Sequence, residues 1–326
     1  MRRNAWALDR LQRAAAAFIA LIAVGATPLA NSHAQSAVND PTAVMDLAFE
    51  IGPWDTLWKT ANFDSAIVGE KVGYYIYLPP DYAGQPSQRY PVVLWLHGAY
   101  GRPHEASPII ARLDKAIRAG HVPPMILVSA LDPTGLGMWT DSKDGRLPME
   151  SLLIRELIPH IDKTYRTVAT ANGRAIEGFS MGGYGAAYLG FKYPELFSSV
   201  SMLAAALHQP ETLKERRAAI FANVFGGDID YAHERSPWRW VEKNAAKIRK
   251  RQRVRLYVGA EDGLLEWDRR FHELMVERKI PHEWGVVPKS PHDIAALMQN
   301  WEGDYFEFYR RAFGQPADAE PAKRSN

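Results

Sequence analysis

The chain has 326 residues, 47% of them hydrophobic and 23% charged, with a formal net charge of +2. That is ordinary globular composition, long enough for one large α/β domain. The chain contains no cysteine, which excludes a disulfide framework, thiolate catalysis and cysteine-ligated zinc within it, and the near-neutral balance gives no support for a nucleic-acid partner.

The first 34 residues carry Arg2, Arg3, Arg10 and Arg13 against Asp9. An apolar stretch, AAAAFIALIAVGATPLA, follows, and Ser32-His33-Ala34 ends it with small residues at −3 and −1. This three-part layout predicts a secretory signal peptide over 1–34, cleaved after Ala34, and therefore an exported protein, periplasmic or secreted. The apolar run is short for a membrane span, so no span is expected once the leader is removed. Residues 35–65 read as a strap or a first strand.

From there strands and helices alternate. VGYYIYLPPDY (72–82) has the period-2 pattern of a strand closed by a proline turn. YPVVLWLHG (90–98) and PMILVSALD (124–132) are continuous apolar runs of the kind that fill buried parallel strands. Between them, ASPIIARLDKAIRAG reads as a helix stopped at Gly120. The stretch 147–165 places Met149, Leu153, Leu157 and Ile161 on one helical stripe. RAIEGFS (174–180) is a short strand entering a glycine-rich turn, followed by a small-residue helix (181–192) and the strand FSSVSMLAAA.

Residues 207–250 look irregular and suggest a cap-like insert. Within and beyond this stretch, the basic run from Lys247 to Arg255 reads as a solvated helix face. RVRLYVGAED (253–262) is a strand, LLEWDRRFHELMVERK a helix and HEWGVVP a last strand. One closing helix is expected from Ile294 to Phe313, then a polar, proline-containing tail (314–326) of disordered type. Such alternation predicts a mostly parallel sheet with helices on both faces, in one domain over 35–313.

Gly178-Phe179-Ser180-Met181-Gly182 has the G-x-S-x-G form. A serine displayed on a sharp strand-to-helix turn needs small neighbours, because the following helix passes close to the strand. The hydroxyl also needs a base, and in this arrangement acid and histidine follow the serine along the chain. His292, in a loop between the last strand and the last helix, is the preferred base, with His208 and His233 as alternatives in the insert. Asp262, at the end of RVRLYV, is the preferred acid, with Glu261 beside it as runner-up. Two backbone donors should face a developing oxyanion: Met181, directly after the serine, and Ala99, in the loop Gly98-Ala99-Tyr100-Gly101. His97 reads as a structural hydrogen-bonding group. No metal-ligand spacing stands out, and no cofactor is expected.

The segment GRAIEGFSMGGYGAAYLGFKYPELFSSVSMLAAAL resembles the nucleophile region of the putative-esterase family of α/β hydrolases. YPVVLWLHGAYG, MWTDS, LIRELIPHIDKTYRT and RLYVGAED extend the resemblance over roughly 70–310. It implies the α/β-hydrolase fold with a small cap insert at about 207–250. It also implies a serine esterase with Ser180, Asp262 and His292 as triad and Ala99 and Met181 as oxyanion donors. Tyr100, Trp139, Trp238 and Trp240 would flank the substrate, with core packing the competing reading for the tryptophans. The implied partner is a small-molecule or glycan-linked ester, and no oligomeric state follows. An acyltransferase with the same triad and a catalytically silent binding protein are the alternatives. Two departures from the family pattern stand out: Ser290-Pro291 before the histidine, where glycines are commoner, and Glu177, where a small or apolar residue is.

Overall fold

The computed structural model describes residues 57–314, Arg102 excepted. The predicted leader and the tail from residue 315 lie outside the described residues. Eight strands form one sheet in the order β1-β2-β4-β3-β5-β6-β7-β8. They are β1 (Trp58–Asp64), β2 (Lys71–Tyr77), β3 (Val92–Leu96), β4 (Ile126–Ala130), β5 (Arg174–Phe179), β6 (Ser199–Leu203), β7 (Arg253–Gly259) and β8 (Glu283–Val287). β1 and β2 pair antiparallel, as do β2 and β4; every other pairing is parallel. The first strand expected somewhere in 35–65 is β1.

The continuous apolar runs are explained by burial on both faces. Along β3, Val92, Leu94 and Leu96 enter one hydrophobic core while Val93 and Trp95 enter the other. Strand side chains alternate between faces, so a strand sandwiched between helix layers must be apolar at every position. The covering helices include α1 (Ser107–Arg118), α2 (Met149–Leu152), α3 (Ile158–Thr164) and α4 (Met181–Lys192).

Three expectations change. The helix foreseen over 147–165 is interrupted by a π-helical turn, Leu153–Leu157, between α2 and α3. Pro159 accounts for it, since it has no N–H for the Arg155 carbonyl and its ring would crowd that oxygen. The insert is helical, not irregular: α5 (Pro210–Arg216), α6 (Ala218–Phe225), α7 (Ile229–Glu234), α8 (Pro237–Lys243) and α9 (Ala245–Arg251). Each is too short to display an amphipathic period, although the Asp228 and Ser236 side chains cap two of them. After α10 (Leu265–Glu277), the single closing helix is two, α11 (Ile294–Gln299) and α12 (Glu307–Phe313). Gly303 takes φ +81°, and the turn at Asp304 restarts the chain into α12.

That break delivers Tyr305 to a buried polar ladder across the sheet. Glu177 of β5, Ser201 of β6 and Arg255 of β7 are register partners in adjacent strands. Arg255 Nη2 donates to Glu177 Oε2 at 2.7 Å, and its Nε donates to Ser201 Oγ at 2.8 Å. Ser201 Oγ–H donates to the same Glu177 oxygen, while Tyr305 O–H donates to Oε1 at 2.6 Å. Arg255 Nη1 reaches the Tyr305 carbonyl at 2.7 Å. The ion pair is essentially inaccessible to water, so the unusual Glu177 is a structural charge with every strong acceptor used. Removing one partner strands the other charge. Glu177→Ala should lower unfolding free energy by about 3–5 kcal/mol in urea melts. Glu177→Gln should cost less, because the amide keeps an acceptor for Arg255.

Candidate active site

β5 runs straight into α4 through Ser180, whose backbone sits at φ 59° and ψ −117°. A non-glycine residue there is strained, and the surroundings must hold it. Ser180 N–H donates to Leu203 O, and Ser180 O accepts from Tyr184 N–H and Ala206 N–H. Glycines permit the crossing: a Cβ on Gly178 would lie 2.2 Å from Gly182 O, and one on Gly182 would lie 1.8 Å from Leu96 O. The helix start therefore touches the end of β3, and the loop leaving β3 passes directly over the serine.

Three loops at the carboxyl ends of parallel strands converge there. His292 Nε2 is 2.8 Å from Ser180 Oγ, and its Nδ1 is 2.7 Å from Asp262 Oδ2. Phe179 stacks on the imidazole with ring centroids 4.9 Å apart, which holds the ring plane. The Asp262 side chain is fully buried, and its other oxygen accepts the Leu264 N–H at 2.8 Å. Because a carboxylate can only accept, His292 Nδ1 carries the proton and Nε2 is left to accept from the serine hydroxyl. Glu261, the runner-up acid, points its side chain to solvent, whereas His208, His233, His272 and His282 have other neighbours. The Ser290-Pro291 sequence is accommodated: Ser290 O accepts from Glu261 N–H, tying the histidine loop to the acid loop.

Among the described residues, neither the Ala99 nor the Met181 N–H has a hydrogen-bond acceptor. Met181 is the first residue of α4, where N–H groups have no intrahelical partner. The Ala99 loop is braced from below. His97 Nδ1 donates to Gly98 O, its Nε2 accepts from Asp132 N–H, and its carbonyl accepts from Trp139 Nε1. Asp132 in turn ties Thr134 and Gly137. Trp139 has no accessible surface, so the expected substrate contact is corrected: it packs against Gly185 of α4 and supports the loop. Trp238 is partly buried, donating to Leu207 O and meeting Phe271 edge-on. Tyr100, next to Ala99 in the loop, stands 57% exposed.

Two carboxyl groups escaped the sequence reading. Glu105 Oε2 accepts the Gly98 N–H at 2.8 Å, and its Oε1 fills the space where a Cβ on Gly101 would stand. Burial raises its pKa, opposed by the Gly98 N–H and by His292. Asp268, on α10, accepts from Ala205 N–H at 3.0 Å. Burial pushes its carboxyl well above the usual range; the Ala205 bond opposes this and the nearby Asp262 adds to it. No spacing marks either residue in advance: Asp268 is defined by a partner 63 residues away, and Glu105 by the fold of its own loop over Gly98 and Gly101.

A sequence model of the putative-esterase family matches residues 65–301. The chain belongs to that family. It is 31% identical over 183 residues to an endo-1,4-beta-xylanase/feruloyl esterase of Xylanibacter ruminicola, covering 52% of this chain and 24% of that protein. It is 32% identical over 254 residues to an esterase of Mycobacterium tuberculosis, covering 70% and 54% respectively. The chain thus spans about a quarter and about half of these two relatives. Among solved structures, a ferulic acid esterase superposes with a TM-score of 0.65 at 22% identity, over 78% of this chain and 95% of that one. An S-formylglutathione hydrolase from Agrobacterium tumefaciens gives 0.61 at 20%, over 79% and 95%. These structural likenesses establish the α/β-hydrolase fold.

His208, in the loop after β6, carries a pH consequence. Burial, with Arg217 and Arg216 adding, lowers its pKa to about 4, and its Nδ1 is buried without a partner. The unfolded value is about 6.5, so between these limits the unfolded chain binds the extra proton. Stability from this residue is complete above pH ~6.5 and drains away as pH falls toward about 4. Melting temperature should fall across that window, and His208→Gln should flatten the decline.

Proposed function

We propose that this protein is an exported carboxylic-ester hydrolase acting through Ser180, His292 and Asp262. The observation that carries the reading is His292 bridging a strained, helix-capping serine at 2.8 Å and a buried carboxylate at 2.7 Å. His292 Nε2 takes the hydroxyl proton as Ser180 Oγ attacks the ester carbonyl. Asp262 keeps the proton on Nδ1 and stabilises the imidazolium that forms. The tetrahedral oxyanion lies against the Ala99 and Met181 N–H groups, neither of which has another acceptor among the described residues. Collapse expels the alcohol, protonated by His292, and leaves an acyl-enzyme. Water, activated by the same imidazole, then releases the acid. His292 is 39% exposed on its side chain, so water or a sugar hydroxyl can reach this intermediate.

The substrate class is a small or glycan-linked ester. The name of the Xylanibacter relative supports a feruloyl-type acyl group, and exposed Tyr100 beside the loop offers an aromatic surface for one. Export rests on the leader-like composition of residues 1–34.

Hydrolysis of p-nitrophenyl acetate and methyl ferulate should be measurable, and Ser180→Ala should lower kcat by at least about 10³-fold. Product analysis with added glycerol or glucose separates hydrolysis from acyl transfer. Absence of turnover, with no fluorophosphonate labelling of folded protein, would favour a binding protein on the same fold.

Glu105 is a positioning residue in this mechanism, holding Gly98 next to the Ala99 donor. Glu105→Ala should reduce kcat about 10- to 100-fold with little change in KM, short of the loss expected when an oxyanion donor is deleted. Glu105→Gln should retain most activity, because the amide oxygen still accepts from Gly98. Steady-state kinetics on one ester distinguishes the two variants.

A further inference from the structure

The basic run that reads as a solvated helix face in the sequence does something more specific in the fold. Arg249, Lys250 and Arg251 end α9, and Arg253 begins β7. With Arg311 of α12 they line a groove of about 590 Å³, in which Glu283 is the one carboxylate. Its floor is polar, formed by Asn172, Ser198, Ser199 and Gln252. Ser199 Oγ and Gln252 Oε1 are buried there without a hydrogen-bond partner.

Helix-dipole compensation accounts for cations at the end of α9. It does not account for Arg253 and Arg311, which arrive from a strand and from another helix. Nor are all of these charges neutralised internally. Arg249 is occupied by the Arg278 carbonyl, and Arg311 by Glu307, with Glu283 3.9 Å away. Lys250, Arg251 and Arg253 have no carboxylate partner among the described residues. Three unpaired cations around a concavity of ligand size, in a chain with a net charge of only +2, form a local excess of positive potential.

The groove is separate from the serine site. Arg253 and Glu283 are the first residues of β7 and β8, whereas Asp262 and His292 follow the last residues of the same strands. In a parallel sheet these are opposite edges, about 20 Å apart along a seven-residue strand.

We propose that this groove is a second binding site, for a small polyanion carrying two or more carboxylate or phosphate groups on a polar frame. Lys250, Arg251 and Arg253 bind the charges, Arg by paired N–H donors and Lys as a mobile point charge. A concave, polar-floored site fits an acidic oligosaccharide or an oligophosphate better than a flat lipid surface.

The test is titration calorimetry on the full chain with trigalacturonate, tripolyphosphate and neutral xylotriose. At least one anionic trimer should bind, and its affinity should fall about tenfold or more between low and high salt, as screening removes the attraction. Which trimer binds identifies the source of the charge, carboxylated sugar or phosphate. The double variant Lys250→Gln/Arg251→Gln should lose about tenfold or more of that affinity while ester turnover stays unchanged and the melting temperature shifts only by the small loss of helix-dipole compensation. Arg253→Gln provides a second, milder variant with the same expected direction. Failure of both anions to bind would overturn the proposal. So would equal binding of xylotriose, or undiminished binding by the variants.

Discussion

The backbone at Ser180 is held in a left-handed conformation that a serine does not choose for itself, and much of the surrounding structure serves to keep it there. Strand β5 enters the turn, α4 leaves it, and the two pass so closely that Gly178 and Gly182 are the only kind of residue that fits. The same proximity pushes the start of α4 against the end of β3 and brings the Gly98–Gly101 loop over the hydroxyl. A hydrogen bond to the Leu203 carbonyl and others from the Tyr184 and Ala206 N–H groups pin the serine backbone from the β6 side and from the helix. Local strain is thus stored where a rigid sheet and a buried helix over-determine the geometry.

Beneath that turn the sheet is tied laterally by charge. Glu177 lies three residues before the serine and is locked through Ser201 to Arg255, with Tyr305 closing the far side. A buried ion pair is rarely a net source of stability compared with an apolar replacement. Its effect here is register: only one alignment of β5, β6 and β7 places the three polar side chains together, and a slip of one residue would bury them unpaired. The loop over the serine is fixed by a comparable device, in which Asp132 N–H and Trp139 Nε1–H bond to His97 while His97 and Glu105 bond the two backbone groups of Gly98.

How much of this could be read in advance follows from the range of each interaction. Seven of the eight strands announced themselves: the central ones because burial on both faces forces an uninterrupted apolar run, as in VVLWL of β3, and β2 by its alternating pattern. The serine, the acid and the histidine sat where strand ends and chain order place them, and the structure brings Asp262 rather than Glu261 to His292. The insert was opaque because helices of six to eight residues hold too few turns to show a period. The break between α11 and α12 was hidden by a convincing apolar stripe whose members, partly buried Trp301 and buried Tyr305 among them, pack on the core without sharing a helix. Trp139 looked like a wall of the site because aromatic residues near a nucleophile usually invite that reading; its burial follows from a long-range bond to His97. Glu105 and Asp268 had no signature at all, since a buried carboxyl is recognisable only once its surroundings are assembled.

The order of the strands also bears on when the site comes into being. Ser180 and His292 are 112 residues apart in the chain, and the histidine loop hangs from β8, the edge strand that pairs last in sequence order. Closing so long a loop is entropically unfavourable until the intervening strands are in place. A growing or partly folded chain therefore holds its serine without its histidine partner, even when β5 and α4 are fully formed. The edge strand acts as a final key: the serine and the histidine meet only on completion of the sheet, and loosening β8 alone would part them while leaving most of the core intact.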